Sequence, residues 1–130
     1  MPEIVTYHDL DAWRQSMDLV EQCYRLTRSF PQDERYGLTS QLRRAACSIP
    51  SNIAEGYCRR STAAYANHVS IALGSHGEVE TCAEIGFRLG LLSQVEKASL
   101  DQATASVGRL LSGLHRSLEE KMARELPRKR

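Results

Sequence analysis

Apolar side chains return every three to four residues along nearly the whole chain, and no stretch shows the alternation of a strand. That period matches one face of an α-helix, which restricts the chain to all-α folds. Leu10, Trp13, Met17, Val20, Tyr24 and Thr27 form one continuous face over a first helix, with Asp9 as its N-cap and Asp11 near the positive end of the dipole. Phe30-Pro31 ends this helix, because the residue before a proline is driven out of the α region, and residues 31–37 read as a turn. Leu42, Ala45, Ala46, Ile49 and Ile53 mark a second helix from about Leu38 to Tyr57. Pro50 lies inside it without breaking the apolar phase, which predicts one helix kinked near Pro50.

Ser61 caps a third helix, from about Thr62 to Leu91, that carries two stripes. Tyr65, Val69, Ala72, Val79, Ala83, Gly86 and Gly90 form a small-residue seam, and Ile71, Cys82, Ile85, Leu89 and Leu92 form a larger one beside it. A helical glycine costs about 1 kcal/mol relative to alanine. Close approach of another backbone is the expected compensation at Gly74, Gly77, Gly86 and Gly90. Ser93-x-x-Glu96 is a capping box that opens a fourth helix. Leu100, Ala103, Val107, Leu111, Leu114, Leu118 and Met122 continue it, and Pro127 stops it. Four long helices with short connections favour an up-down-up-down antiparallel four-helix bundle. It forms one domain over 1–126 with a short basic tail at 127–130, and the double stripe predicts self-association.

A chain of 130 residues with 42% apolar and 25% charged residues buries a core without a staple. The longest apolar runs are too short to span a bilayer, and Met1-Pro2-Glu3 lacks the layout of a signal peptide. No membrane association and a cytoplasmic address are expected. Cys23, Cys47, Cys58 and Cys82 are widely spaced, without C-x-x-C or a histidine pair. They read as small hydrophobes inside helices in a reducing cytosol, with neither metal nor cofactor implied.

A net charge of +1 conceals an asymmetry. Residues 1–24 hold one basic residue against five acidic, 25–60 hold seven against three, and 93–130 hold eight against five. Such a distribution serves acidic partners, or pairs one subunit with the next. Arg43, Arg44, Arg59, Arg60 and the tail Arg128-Lys129-Arg130 are the candidates for neutralising phosphates of RNA or DNA. Near-neutral overall charge and the lack of a long basic stripe weigh against that reading.

At 100° per residue, Gln41, Arg44, Ser48, Asn52, Glu55 and Arg59 line one flank of the second helix. With Ser75 and Glu78 of the third helix they form a polar ribbon. It either hydrogen-bonds across a subunit interface and fixes its register, or makes a groove for a ligand or acidic polymer. The first reading is favoured, because binding sites are few per protein. Gly74-Ser75-His76-Gly77-Glu78 invites a catalytic reading, but Ser75 and His76 point about 100° apart and no third group orients a base. Glu78 is instead available to pair with Arg44 or Arg43. His8, His68 and His115 have no companions at ligand spacing, and Gly86-x-x-x-Gly90 lies in a helix and is no phosphate loop. The chain therefore reads as non-enzymatic.

The stretch Gln41-Leu42-Arg43-Arg44-Ala45-Ala46-x-Ser48-Ile49-Pro50-Ser51-Asn52-Ile53-Ala54-Glu55-Gly56 resembles the signature of the bacterial intervening-sequence protein family. That family is named for reading frames inserted within large-subunit ribosomal RNA genes. The resemblance extends to Trp13, to Phe30-Pro31 with Glu34 and Tyr36-Gly37-Leu38, and to Ile71-Ala72-x-Gly74-Ser75-x-x-Glu78. It implies a four-helix bundle assembled as a ring, typically a pentamer, and brings no catalytic residues. More distantly similar bundles accompany reverse transcriptases of diversity-generating retroelements, where basic surfaces are implicated in contacts with nucleic acid and the polymerase. The charge of +1 departs from that basic pattern.

Two functional readings follow. The first is a non-enzymatic oligomeric scaffold for RNA or a ribonucleoprotein. The alternative is a protein-interaction ring with no nucleic-acid role, its arginines consumed by the acidic first helix of a neighbour. Where the arginines lie discriminates the two.

Overall fold

In a computed structural model that describes residues 3–126, the chain forms four α-helices. They are α1 (Asp11–Thr27), α2 (Leu38–Tyr57), α3 (Thr62–Arg88) and α4 (Gln94–Glu125), with 3-10 turns at Tyr7–Asp9 and Gln32–Glu34. The tail at 127–130 lies outside the described residues. Each helix packs on the next in sequence and α4 closes on α1, while no diagonal pair is in contact among the described residues. Side-chain pairings give the directions. Gln22 meets Ser99 and Gln15 meets Ser106, so α1 and α4 run antiparallel. Ser48 meets Ser75 and Asn52 meets His68, which does the same for α2 and α3. The expected up-down-up-down bundle is the fold observed.

Its core is aliphatic and alanine-rich. Leu19, Leu42, Ile49, Ile53, Val69, Val79, Leu100, Val107 and Leu111 are fully buried, with Ala45, Ala46, Ala72 and Ala83 between them. Helix α2 runs unbroken across Pro50, which is itself buried. At Gly56, an added Cβ would stand 2.8 Å from His68 Cβ and 2.9 Å from Tyr65 Cδ1. Only a residue without a side chain lets α3 approach α2 so closely here.

The phase of α1 differs from the sequence reading. Its buried residues are Ala12, Ser16, Leu19, Cys23 and Thr27, while Met17 and Tyr24 are exposed and Leu10, Trp13 and Val20 only half-buried. Two of those buried residues are polar, and both spend their hydroxyls on their own helix. Ser16 Oγ donates to Trp13 O at 2.8 Å and Thr27 Oγ1 to Cys23 O at 2.7 Å. So satisfied, they pack as small apolar groups. Asp9 is likewise not the N-cap of α1, which begins after Leu10 with no side-chain cap. Asp9 closes a capping box on the preceding 3-10 turn, accepting from Val5 N at 2.9 Å and Thr6 N at 3.0 Å. Those two backbone donors hold its carboxyl below the usual carboxylate range.

Helix α3 ends at Arg88 rather than Leu91. Gly90, expected in the small-residue seam, adopts φ +77° instead. Leu91 N donates to Gly86 O at 2.8 Å and Gly90 N to Phe87 O at 3.0 Å, a Schellman ending that needs glycine at its left-handed position. Among the described residues nothing outside the local helix backbone lies within 4 Å of a Cβ placed on Gly74 or Gly77, so none of them supplies the expected backbone neighbour at these two. The Ser93–Glu96 capping box opens α4 as expected, with Ser93 Oγ accepting from Glu96 N at 3.1 Å. Cys23 and Cys82 are buried hydrophobes, but Cys58 caps the end of α2 and is exposed.

Candidate nucleic-acid interface

The polar flank of α2 becomes the seam between α2 and α3. Gln41, Arg44 and Ser48 face Ser75 and Glu78 across an open cleft of about 220 Å³. At its floor Ser75 Oγ donates to Ser48 Oγ at 2.7 Å, and Asn52 Nδ2 donates to Ser48 O at 2.9 Å. The ribbon continues through Asn52 Oδ1, which shares a hydrogen bond of 3.1 Å with His68 Nδ1. His68 lies 3.9 Å from Glu55, and Glu55 accepts from Arg59 at 2.9 Å. All eight ribbon residues therefore lie along one seam. His68 is the member that sequence reasoning missed, since it belongs to the opposite helix and follows no spacing shared with α2. Arg44 and Glu78 line the same cleft, yet no ion pair within 4.0 Å joins Glu78 to Arg44 or Arg43.

Ser75 and His76 diverge as expected. His76 crosses to α4, where its Nε2 lies 2.8 Å from Thr104 O, over Gly108. An added Cβ on Gly108 would meet that ring at 2.6 Å. His76 is thus a packing residue.

The predicted arginines do not form one patch. Arg59 is engaged by Glu55 and Arg60 is exposed at the α2–α3 connection. Arg128, Lys129 and Arg130 lie outside the described residues. Arg43 and Arg44, adjacent in sequence, turn to opposite sides of α2. Arg43 reaches back to α1, where its Nε donates to Thr27 Oγ1 at 2.8 Å and its Cζ lies 4.4 Å above the ring of Tyr24. There it joins Arg28, Arg35, Thr27, Thr39 and Phe30 in a cleft of about 340 Å³ at the α1–α2 corner. Arg28 and Arg35 are members that the sequence did not single out.

Of the seven arginines between residues 25 and 60, only Arg25 and Arg59 meet a carboxylate, Glu21 at 3.9 Å and Glu55 at 2.9 Å. Arg28, Arg35, Arg43, Arg44 and Arg60 make no ion pair among the described residues. The acidic side chains of α1 do not reach them, for Asp11 pairs with Arg14 and Glu21 with Arg25. A larger groove of about 560 Å³ separates α1 from α4, and part of its polar lining is matched across it. Gln22 donates to Ser99 at 3.2 Å and Ser106 to Gln15 at 2.6 Å. Among the described residues no three His, Cys, Asp or Glu side chains converge as metal ligands. No helix there is long and apolar enough to cross a membrane.

A solved structure from Bacteroides thetaiotaomicron VPI-5482, a protein with unknown function from the S23 ribosomal protein family, has a similar fold. The two are 21% identical, with a TM-score of 0.75 over 81% of this chain and 95% of that one. No curated protein matches the chain. A family model described as "23S rRNA-intervening sequence protein" matches residues 8–113.

Proposed function

The chain belongs to the 23S rRNA-intervening sequence protein family, and from that premise we propose that it is a non-enzymatic, self-associating scaffold for RNA or a ribonucleoprotein, working in the cytoplasm. The observation that carries this reading is the set of five arginines around α2 with no carboxylate partner. An arginine spent on an internal salt bridge releases few counterions on meeting a phosphate. An unpaired one retains its full charge for the purpose. The family description names 23S rRNA, which makes RNA the first nucleic acid to test.

Self-association is supported by the outer face of α3. Ile71, Ile85 and Leu89 are 46%, 41% and 62% exposed there, and Gly74 opens a flat place between them. Beside this face, Arg44 and Glu78 offer opposite charges, both without an ion pair among the described residues. A second copy fits such a surface, its Glu78 meeting Arg44, in a head-to-tail contact that closes into a ring. Five copies is the number implied by the family resemblance.

Fluorescence anisotropy of labelled RNA and DNA oligonucleotides across a salt series tests the functional reading. Affinity that falls log-linearly with salt supports it. No binding at the lowest salt would overturn it and leave a protein-interaction ring.

A further inference from the structure

We propose that the cleft at the α1–α2 corner is a phosphate-binding site; it rests on the RNA-binding reading for its source, one phosphodiester of the RNA backbone. Three arginines, Arg28, Arg35 and Arg43, line the cleft, and no acidic residue does. The nearest carboxylates in sequence are Asp33 and Glu34. Glu34 packs over Gly37, its Oε2 3.3 Å from where a Cβ would stand, and not into the cleft.

Arg43 is positioned before any ligand arrives. Its Nε is held by Thr27 Oγ1 at 2.8 Å, its Nη2 reaches Tyr24 O at 3.5 Å, and the Tyr24 ring supports the guanidinium plane at 4.4 Å. Its Nη1 has no protein partner among the described residues. A planar guanidinium fixed in this way presents its remaining donors to phosphate oxygens with little ordering left to do.

The independent observation is Thr39. It is 8% exposed and lines the cleft, and its hydroxyl makes no hydrogen bond among the described residues. The hydroxyl is not one of the enclosed, unpartnered side-chain atoms of the described residues, so it opens into a cleft lined by three arginines, where it is free to donate to an oxygen-rich anion. Phe30 and Pro31 complete the wall with apolar surface suited to a sugar. The groove between α1 and α4 lacks this signature, because a carboxylate, Asp18, shares its lining with a single arginine, Arg109.

The test uses the full chain with four proteins: wild type, R43Q, the double variant R28Q/R35Q, and T39V. The T39V variant changes no charge and keeps side-chain shape, so it separates site loss from charge loss and misfolding. Each is titrated with labelled RNA, with and without inorganic phosphate as competitor. Each is also melted in phosphate and in chloride at equal ionic strength. The expected result is RNA affinity about tenfold lower in R43Q and T39V, with a salt slope reduced by about one per arginine removed. Phosphate is also expected to raise the melting temperature of wild type more than that of any variant. If RNA binds all four proteins alike, the phosphate site is overturned while the scaffold reading stands. If RNA binds none, the scaffold reading fails and the melts decide: stabilisation by phosphate in wild type alone supports the site, and equal melts overturn it.

Discussion

Replacing Gly56 by alanine sets two effects of opposite sign against each other. Alanine is favoured over glycine in a helix interior by about 1 kcal/mol. Against this, the new Cβ would stand 2.8 Å from His68 Cβ, 2.9 Å from Tyr65 Cδ1 and 3.3 Å from Tyr65 O. The first and last of those atoms are fixed to the frame of α3, so rotating a side chain does not relieve them; the helices must separate. Overpacking of this kind costs about 1–3 kcal/mol, and the rigid neighbours place Gly56 at the upper end. The net loss is about 2 kcal/mol once the helix preference is subtracted. For a domain of this length, with about 3–5 °C per kcal/mol, the melting temperature falls by about 6–10 °C. Gly113 is the control, because an added Cβ there meets nothing within 4 Å. G113A keeps only the helix preference and rises by about 3–5 °C. Thermal unfolding followed by circular dichroism reads both, and G56A melting at or above wild type would refute the reasoning.

The remaining predictions concern other points of packing and one pH range. G108A displaces the His76 ring and its bond to Thr104 O, so it destabilises by about 1 kcal/mol in wild type yet is neutral or stabilising beside H76A; an additive double-mutant cycle would sink the assignment. S93A removes the hydroxyl oxygen that accepts from Glu96 N and costs about 1 kcal/mol in urea titration, and an unchanged midpoint would count against it. Burial pushes the Cys23 thiol from 9.0 up to about 12 and the Tyr65 phenol from 10.0 up to about 12. The unfolded chain gives up these protons first, so stability is fully present below pH 9 and falls as pH rises toward 12. C23A and Y65F should each flatten that fall in melts taken across the alkaline range, and slopes equal to wild type would contradict the burial argument.

Much of the fold is legible in the chain because α2 and α4 place their largest aliphatic residues on the core. Leu42, Ile49 and Ile53 fix the face and span of α2, and Ser93 with Glu96 marks the start of α4. Helix α1 misleads because its bulkiest apolar residues are not its core. Met17 and Tyr24 stand outside while Ser16 and Thr27, with hydroxyls hidden against their own backbone, go in. Spacing sees polarity and not where a hydroxyl is spent. The polar ribbon was legible on α2 by periodicity, whereas His68 joins it only through helix pairing. The arginine cleft was half legible: Arg43 stood out beside Arg44, but Arg28 and Arg35 reach it from the two sides of a turn. Residues gathered by a chain reversal share no period, so only the folded corner shows that they meet.

The most direct test of a self-associating RNA scaffold is the mass in solution, by light scattering, of the protein alone and with an RNA oligonucleotide. The account predicts a multiple of the 14.6 kDa chain, five being the number the resemblance implies, and a further gain when RNA is added at low salt. A single 14.6 kDa species whose mass RNA does not change would contradict it.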